Sequence, residues 1–123
     1  MKPLLIGLGL YNAANGLFML IAPRVWFETI PGASHTGPFN PHFIADIAIA
    51  FLAAAAGLVL AGFLKGRDCI PALLPSAIFL GGHAILHVTD WAHHRDLLAF
   101  EALTIVLPGL LPSLFLIMIL RKD

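Results

Sequence analysis

Six ionisable side chains stand inside long apolar runs. His42 and Asp46 are four residues apart, His83, His87 and Asp90 are four and three apart, and Glu101 stands alone among leucine, alanine and phenylalanine. Helical residues three or four apart lie on one face. Neutral imidazoles and carboxylates projecting from neighbouring helices are the donor set of bundle metal sites. His42, Asp46, His83, His87, Asp90 and Glu101 therefore read as candidate ligands of a transition metal. Such donors suit zinc, iron, manganese or copper(II). Three histidines with one carboxylate would hold one ion, and the full set, helped by His93 or His94, could hold two. A copper(I) or iron–sulfur site would need more sulfur than Cys69 and the methionines Met1, Met19 and Met118 supply.

The elements that must position these groups are membrane helices. The chain has 123 residues, of which 59% are hydrophobic and 11% charged, with a mean hydropathy of +0.92. A soluble domain carries about 25% charged residues, so too little polar surface is available here for water. Four runs reach the ~20 apolar residues that a spanning helix needs: about 4–22, 43–64, 70–90 and 97–120. The expected fold is all-α, a single transmembrane domain over 1–123, an up-down-up-down four-helix bundle. The first run reads as a retained span and not a cleaved signal peptide, because it is long and no small-x-small site follows it before Pro23. The four-span outline is similar to that of many small bacterial inner-membrane proteins.

Basic residues orient the bundle. Lys2, Lys65, Arg67, Arg121 and Lys122 fall on one side and Arg24 and Arg95 on the other. The positive-inside rule then places both termini in the cytoplasm of a cell inner membrane, with 23–41 and 91–96 facing the periplasm. Trp26 and Phe27 are expected among the lipid headgroups on that outer side. At ~1.5 Å rise per residue, Asp46 lies ~8 Å in from the outer end of its helix, His87 ~6 Å, His83 ~12 Å and Glu101 ~6 Å. All the candidate ligands thus share one outer layer, above an apolar cytoplasmic half. Pro71, Pro75, Pro108 and Pro112 lie on the cytoplasmic side of that layer, where bends would let the outer halves splay.

Ionisable groups at membrane depth usually mark function, and several functions use these residues. The leading expectation is a metal-binding membrane protein whose ion is either held or used against a hydrophobic small molecule entering from lipid. Two histidines on facing helices, His42 and His87, could instead clamp a haem. Imidazole–carboxylate pairs could move protons without a metal, as an acid–base membrane enzyme does. A non-catalytic subunit of a larger membrane complex, or a homo-oligomer, is the structural alternative. Asn12 and Asn15 read as helix-joining amides, and Asp90 reads either as a ligand or as the end of its helix, paired with Arg95. His35, His93 and His94 read most simply as interfacial. With a net charge of zero, nothing points to nucleic acid.

Overall fold

The computed structural model describes residues 1–93 and 95–121; His94, Lys122 and Asp123 lie outside the described residues. Among the described residues the chain is helical and contains no strand. Helix α1 runs Lys2–Ile21 and α2, a short helix, Pro23–Thr29. A 3₁₀ turn at Ala33–Thr36 leads to α3, Pro41–Phe63. A second 3₁₀ turn at Gly66–Cys69 precedes α4, Ile70–Asp90. The last run is divided: a 3₁₀ turn at Arg95–Leu97, α5 at Leu98–Glu101, a π-helical stretch at Ala102–Val106, and α6 at Leu107–Leu120. Four helical stretches, Lys2–Ile21, Pro41–Phe63, Gly66–Asp90 and Arg95–Leu120, are long and apolar enough to cross a membrane.

Local chemistry sets several boundaries. Proline occupies the first turn of α1, α2, α3 and α4, where its missing N–H has no helical acceptor to lose. Asn40 caps α3, its side-chain oxygen accepting the Phe43 N–H at 3.1 Å. The long helices then pack in sequence: α1 against α3, α3 against α4, and α4 against α6. Small residues set the separations. A Cβ at Gly16 would lie 2.9 Å from the Ala48 carbonyl oxygen, so only glycine lets α1 approach α3 this closely. Ser76 Oγ donates to the Ala54 carbonyl at 2.9 Å and Ser113 Oγ to the Ala77 carbonyl at 3.3 Å. Such short polar side chains tie helices together where water is scarce.

The interior and the surface are both apolar. Leu5, Leu58 and Leu73 are fully buried, while Leu10, Phe63, Ile78 and Leu103 are each more than 60% exposed. Large exposed apolar area on every long helix suits lipid and not water, as in a multi-pass membrane protein.

Two expectations change in detail. The last span does not run as one α-helix from 97, because Pro108 has no N–H to give the carbonyl four residues earlier. That carbonyl, on Thr104, instead accepts the Tyr11 hydroxyl at 2.8 Å, and the backbone widens to a π-helix between Glu101 and Leu107. The 23–41 segment is partly ordered by the bundle. Trp26 and Phe27 are half-buried against the core, and the Trp26 indole N–H donates to Asn15 Oδ1 at 3.0 Å. Trp26 therefore serves to fasten α2 to α1.

Candidate functional site

The site is built where α4 ends and the last helical run begins. His83, His87 and Trp91 follow one another at four-residue intervals along and just past α4, so each sits one turn beyond the last with a small drift around the axis. His83 and His87 touch directly, and Trp91 and His87 share a contact with one carboxylate. The His83 ring stacks on Phe79 at 6.0 Å between centroids and meets the edge of Phe51 at 5.4 Å. His83 and His87 then meet edge to face at 4.8 Å. Phe51 and Phe79 themselves pack edge to face at 5.1 Å, so His83 stands in an aromatic box joining α3 to α4.

Glu101 meets these residues from the facing helix. His87 Nδ1 lies 3.2 Å from Glu101 Oε1. The other carboxylate oxygen, Oε2, accepts the Trp91 indole N–H at 3.0 Å. Glu101 retains 6% of its side-chain exposure and His87 26%, so the carboxylate is sealed while the imidazole keeps an open edge. A buried carboxylate without partners is costly; here both of its oxygens are engaged. When His87 is protonated the contact is an ion pair.

A segment distant in sequence covers the carboxylate. Gly32 has φ of +86°, a left-handed conformation that favours glycine, and a Cβ there would lie 2.9 Å from Leu97 Cδ1 and 3.6 Å from Glu101 Oε1. The turn after α2 therefore rests on the same surface that Glu101 occupies. The π-helical stretch begins at the residue after Glu101. Such widened turns redirect side chains and recur at functional sites.

The six expected ligands are divided. His83, His87 and Glu101 come together. His42 and Asp46 form a separate pair on α3, with Nε2 to Oδ2 at 3.5 Å and side-chain exposures of 88% and 61%. Asp90 is exposed at the end of α4, as is His93 beyond it. Among the described residues, no three His, Cys, Asp or Glu side chains are arranged to hold one metal ion. Spacing alone did not separate Asp90 from Trp91, since they lie three and four residues past His87. The helix twist brings the four-residue neighbour to the carboxylate and turns Asp90 away. Trp91 and Gly32 were not singled out as site residues. The regular 83–87–91 interval was the legible signal for the first, and the Pro31-Gly32 pair, a turn dipeptide, the signal for the second.

Comparison with protein-family models, with curated proteins and with solved structures finds no match to this chain.

Proposed function

We propose that this chain is a multi-pass inner-membrane protein with an acid–base site in its outer half, acting on a lipid-soluble molecule. The observation that carries the reading is the partially open His87 imidazole, 3.2 Å from a sealed carboxylate that a tryptophan N–H also holds. A carboxylate on one ring nitrogen orients the imidazole and stabilises its protonated form. The second nitrogen, Nε2, is the atom such an arrangement offers to a substrate proton. His87 is the proton carrier in this reading, Glu101 orients it, and Trp91 holds Glu101. The surrounding surface is hydrocarbon, so the substrate must be one that partitions into lipid.

The proposed topology is up-down-up-down with both termini cytoplasmic. It is supported by how the chain ends meet. Gly62, near the end of α3, packs beside the Lys2 carbonyl of α1. Arg67, leading into α4, reaches the Leu120 carbonyl at the end of α6, at 3.4 Å. Lys2, Lys65, Arg67 and Arg121 thus share one end of the bundle, as the positive-inside rule requires.

A metal remains a second reading, because a histidine whose Nδ1 faces a carboxylate commonly offers Nε2 to an ion. In that case His87 is a donor on this chain, with Glu101 behind it at 3.2 Å, and the neighbouring His83 is the candidate second donor.

One experiment separates the two. Membranes containing the protein are incubated with a total lipid extract in D₂O, and the lipid-soluble species are analysed by mass spectrometry. Proton transfer through His87 leaves deuterium in a lipid-soluble product. Glu101→Gln and His87→Ala should lower that label by ~100-fold or more, the usual share of general acid–base catalysis. Identical labelling in wild type and both variants would overturn the acid–base reading. Elemental analysis of the same protein, never exposed to chelator, decides the metal: a stoichiometric ion lost in His87→Ala establishes the second reading.

A further inference from the structure

A groove at the start of α3 belongs to no part of the central site. It has a volume of about 470 Å³ and is lined by Thr36, Pro38, Phe39, Asn40, Pro41 and Phe43, which is within the size range of small-ligand sites. The bundle holds it in place. Phe39 and Phe27 pack against the core and meet edge to face at 5.5 Å. Phe39 also carries a charge, because the Arg24 guanidinium sits over its ring, 4.2 Å from the centroid. Glu28 stands beside Arg24, Oε1 to Nη1 at 3.5 Å, and the two side chains are exposed. Asn40 uses its side-chain oxygen to cap α3, and its amide N–H groups have no protein acceptor among the described residues.

Depth selects the kind of ligand. Ile21 ends one apolar stretch and Pro41 begins the next, so Arg24, Glu28 and the groove stand at the level of phospholipid headgroups. A guanidinium stacked on a ring keeps its N–H edge clear, and that edge fits two phosphate oxygens at once. The planar fork is also held ready, so less freedom is lost when a phosphate arrives. Glu28 engages only one guanidinium nitrogen, Nη1, and an exposed ion pair of this kind is weak. Its carboxylate adds a second requirement, a positive group next to the phosphate. Phe43, 56% exposed in the first turn of α3, offers hydrocarbon a path from the groove into the bilayer.

We propose that this groove binds the headgroup of an outer-leaflet phospholipid that carries a phosphodiester and a primary ammonium. Arg24 and the Asn40 amide hold the phosphate, Glu28 accepts from the ammonium, and an acyl chain runs past Phe43. Charge complementarity selects this occupant. The protein's cation and anion, four residues apart on α2, meet the anion and cation of one headgroup. A purely anionic headgroup leaves Glu28 opposed by like charge, and a trimethylated ammonium has no N–H to donate to it.

The inference rests on the reading of α3 as a membrane span, and the test separates the two. Purified protein in detergent is titrated with phosphatidylethanolamine, phosphatidylglycerol or phosphatidylcholine of one acyl composition, and bound lipid is counted by native mass spectrometry. One phosphatidylethanolamine should bind about two- to fivefold more tightly than either other lipid, the worth of one exposed ion pair. Arg24→Gln should weaken that binding by about tenfold, the size of a charge-assisted hydrogen bond. Arg24→Lys should recover only part of it, because an ammonium lacks the fork. Glu28→Gln should abolish the preference over phosphatidylglycerol while phosphate binding persists. Arg95→Gln, at the other arginine on that side in the proposed topology, should change nothing. Arg24 and Glu28 are exposed, and unchanged thermal unfolding of their variants shows that lost binding is not lost fold. Equal binding of the three lipids, full binding by Arg24→Gln, or an equal loss in Arg95→Gln overturns the lipid site. Release of the protein from membranes by alkaline carbonate overturns the membrane reading itself. Retention in the membrane without a lipid preference overturns the lipid site alone.

Discussion

Two imidazole–carboxylate pairs of nearly equal length sit in different worlds. His42–Asp46 spans 3.5 Å within one helix, exposed on both sides. His87–Glu101 spans 3.2 Å between helices, with the acid sealed. The first pair would form in the isolated helix, since i, i+4 neighbours meet without any fold. The second exists only once α4 and the last helical run are packed. An i, i+4 pair records local geometry. A pair across helices, with a third group on the remaining oxygen, records that the fold has been arranged around it.

The contrast is broken most directly by removing the two acids in turn. Glu101→Ala leaves the Trp91 N–H and the His87 ring facing an emptied space. An orphaned buried polar group costs about 1–3 kcal/mol, so thermal unfolding of the monomer in dilute detergent should show a loss of that size. Glu101→Gln, which keeps an oxygen for Trp91, should recover part of it. Asp46→Ala under the same conditions should stay within about 0.5 kcal/mol of wild type, as exposed substitutions do. Equal losses for Glu101→Ala and Asp46→Ala would erase the distinction between the pairs.

The same contrast shows what was legible beforehand. The four apolar runs and the long apolar helices coincide because a bilayer-length hydrophobic stretch leaves the backbone little choice but helix. The meeting of His83, His87 and Glu101 was legible in outline, since three costly groups in apolar runs must find partners. The wider cluster was not. Periodicity places His42 and Asp46 on a shared face but does not say whether that face turns inward. Here the α3 positions that turn inward, Ile44, Ala48, Phe51 and Ala55, are one residue or more out of phase with the charged ones. Asp90 is exposed at the end of α4 for a related reason: a three-residue step turns back around the helix where a four-residue step advances. The cover at Gly32 depends on how a loop folds back over 69 residues of chain, a contact that no local pattern encodes.

A finer probe asks how much Trp91 contributes to holding the acid. Trp91→Phe keeps an aromatic ring and removes the N–H that reaches Glu101 Oε2 at 3.0 Å. The loss of one such bond should cost about 1 kcal/mol, no more than the Glu101→Ala effect. In the Glu101→Ala background the same substitution should cost almost nothing, because its acceptor is already gone. Additive losses in the double variant would show that Trp91 acts through packing alone.

The smallest expected effect lies at the bend behind the site. Tyr11 donates to the Thr104 carbonyl at 2.8 Å, an acceptor that Pro108 leaves without its α-helical donor. Hydrogen bonds between membrane helices average about 0.6 kcal/mol, so Tyr11→Phe should lower stability by about that much. Pro108→Ala restores an N–H at the position from which an α-helix would serve the Thr104 carbonyl. In that background Tyr11→Phe should lose most of its effect, a coupling that a double-mutant cycle measures directly. An unchanged Tyr11→Phe loss beside Pro108→Ala would mean that the carbonyl is not freed by the proline, and that the π-helical turn after Glu101 has some other origin.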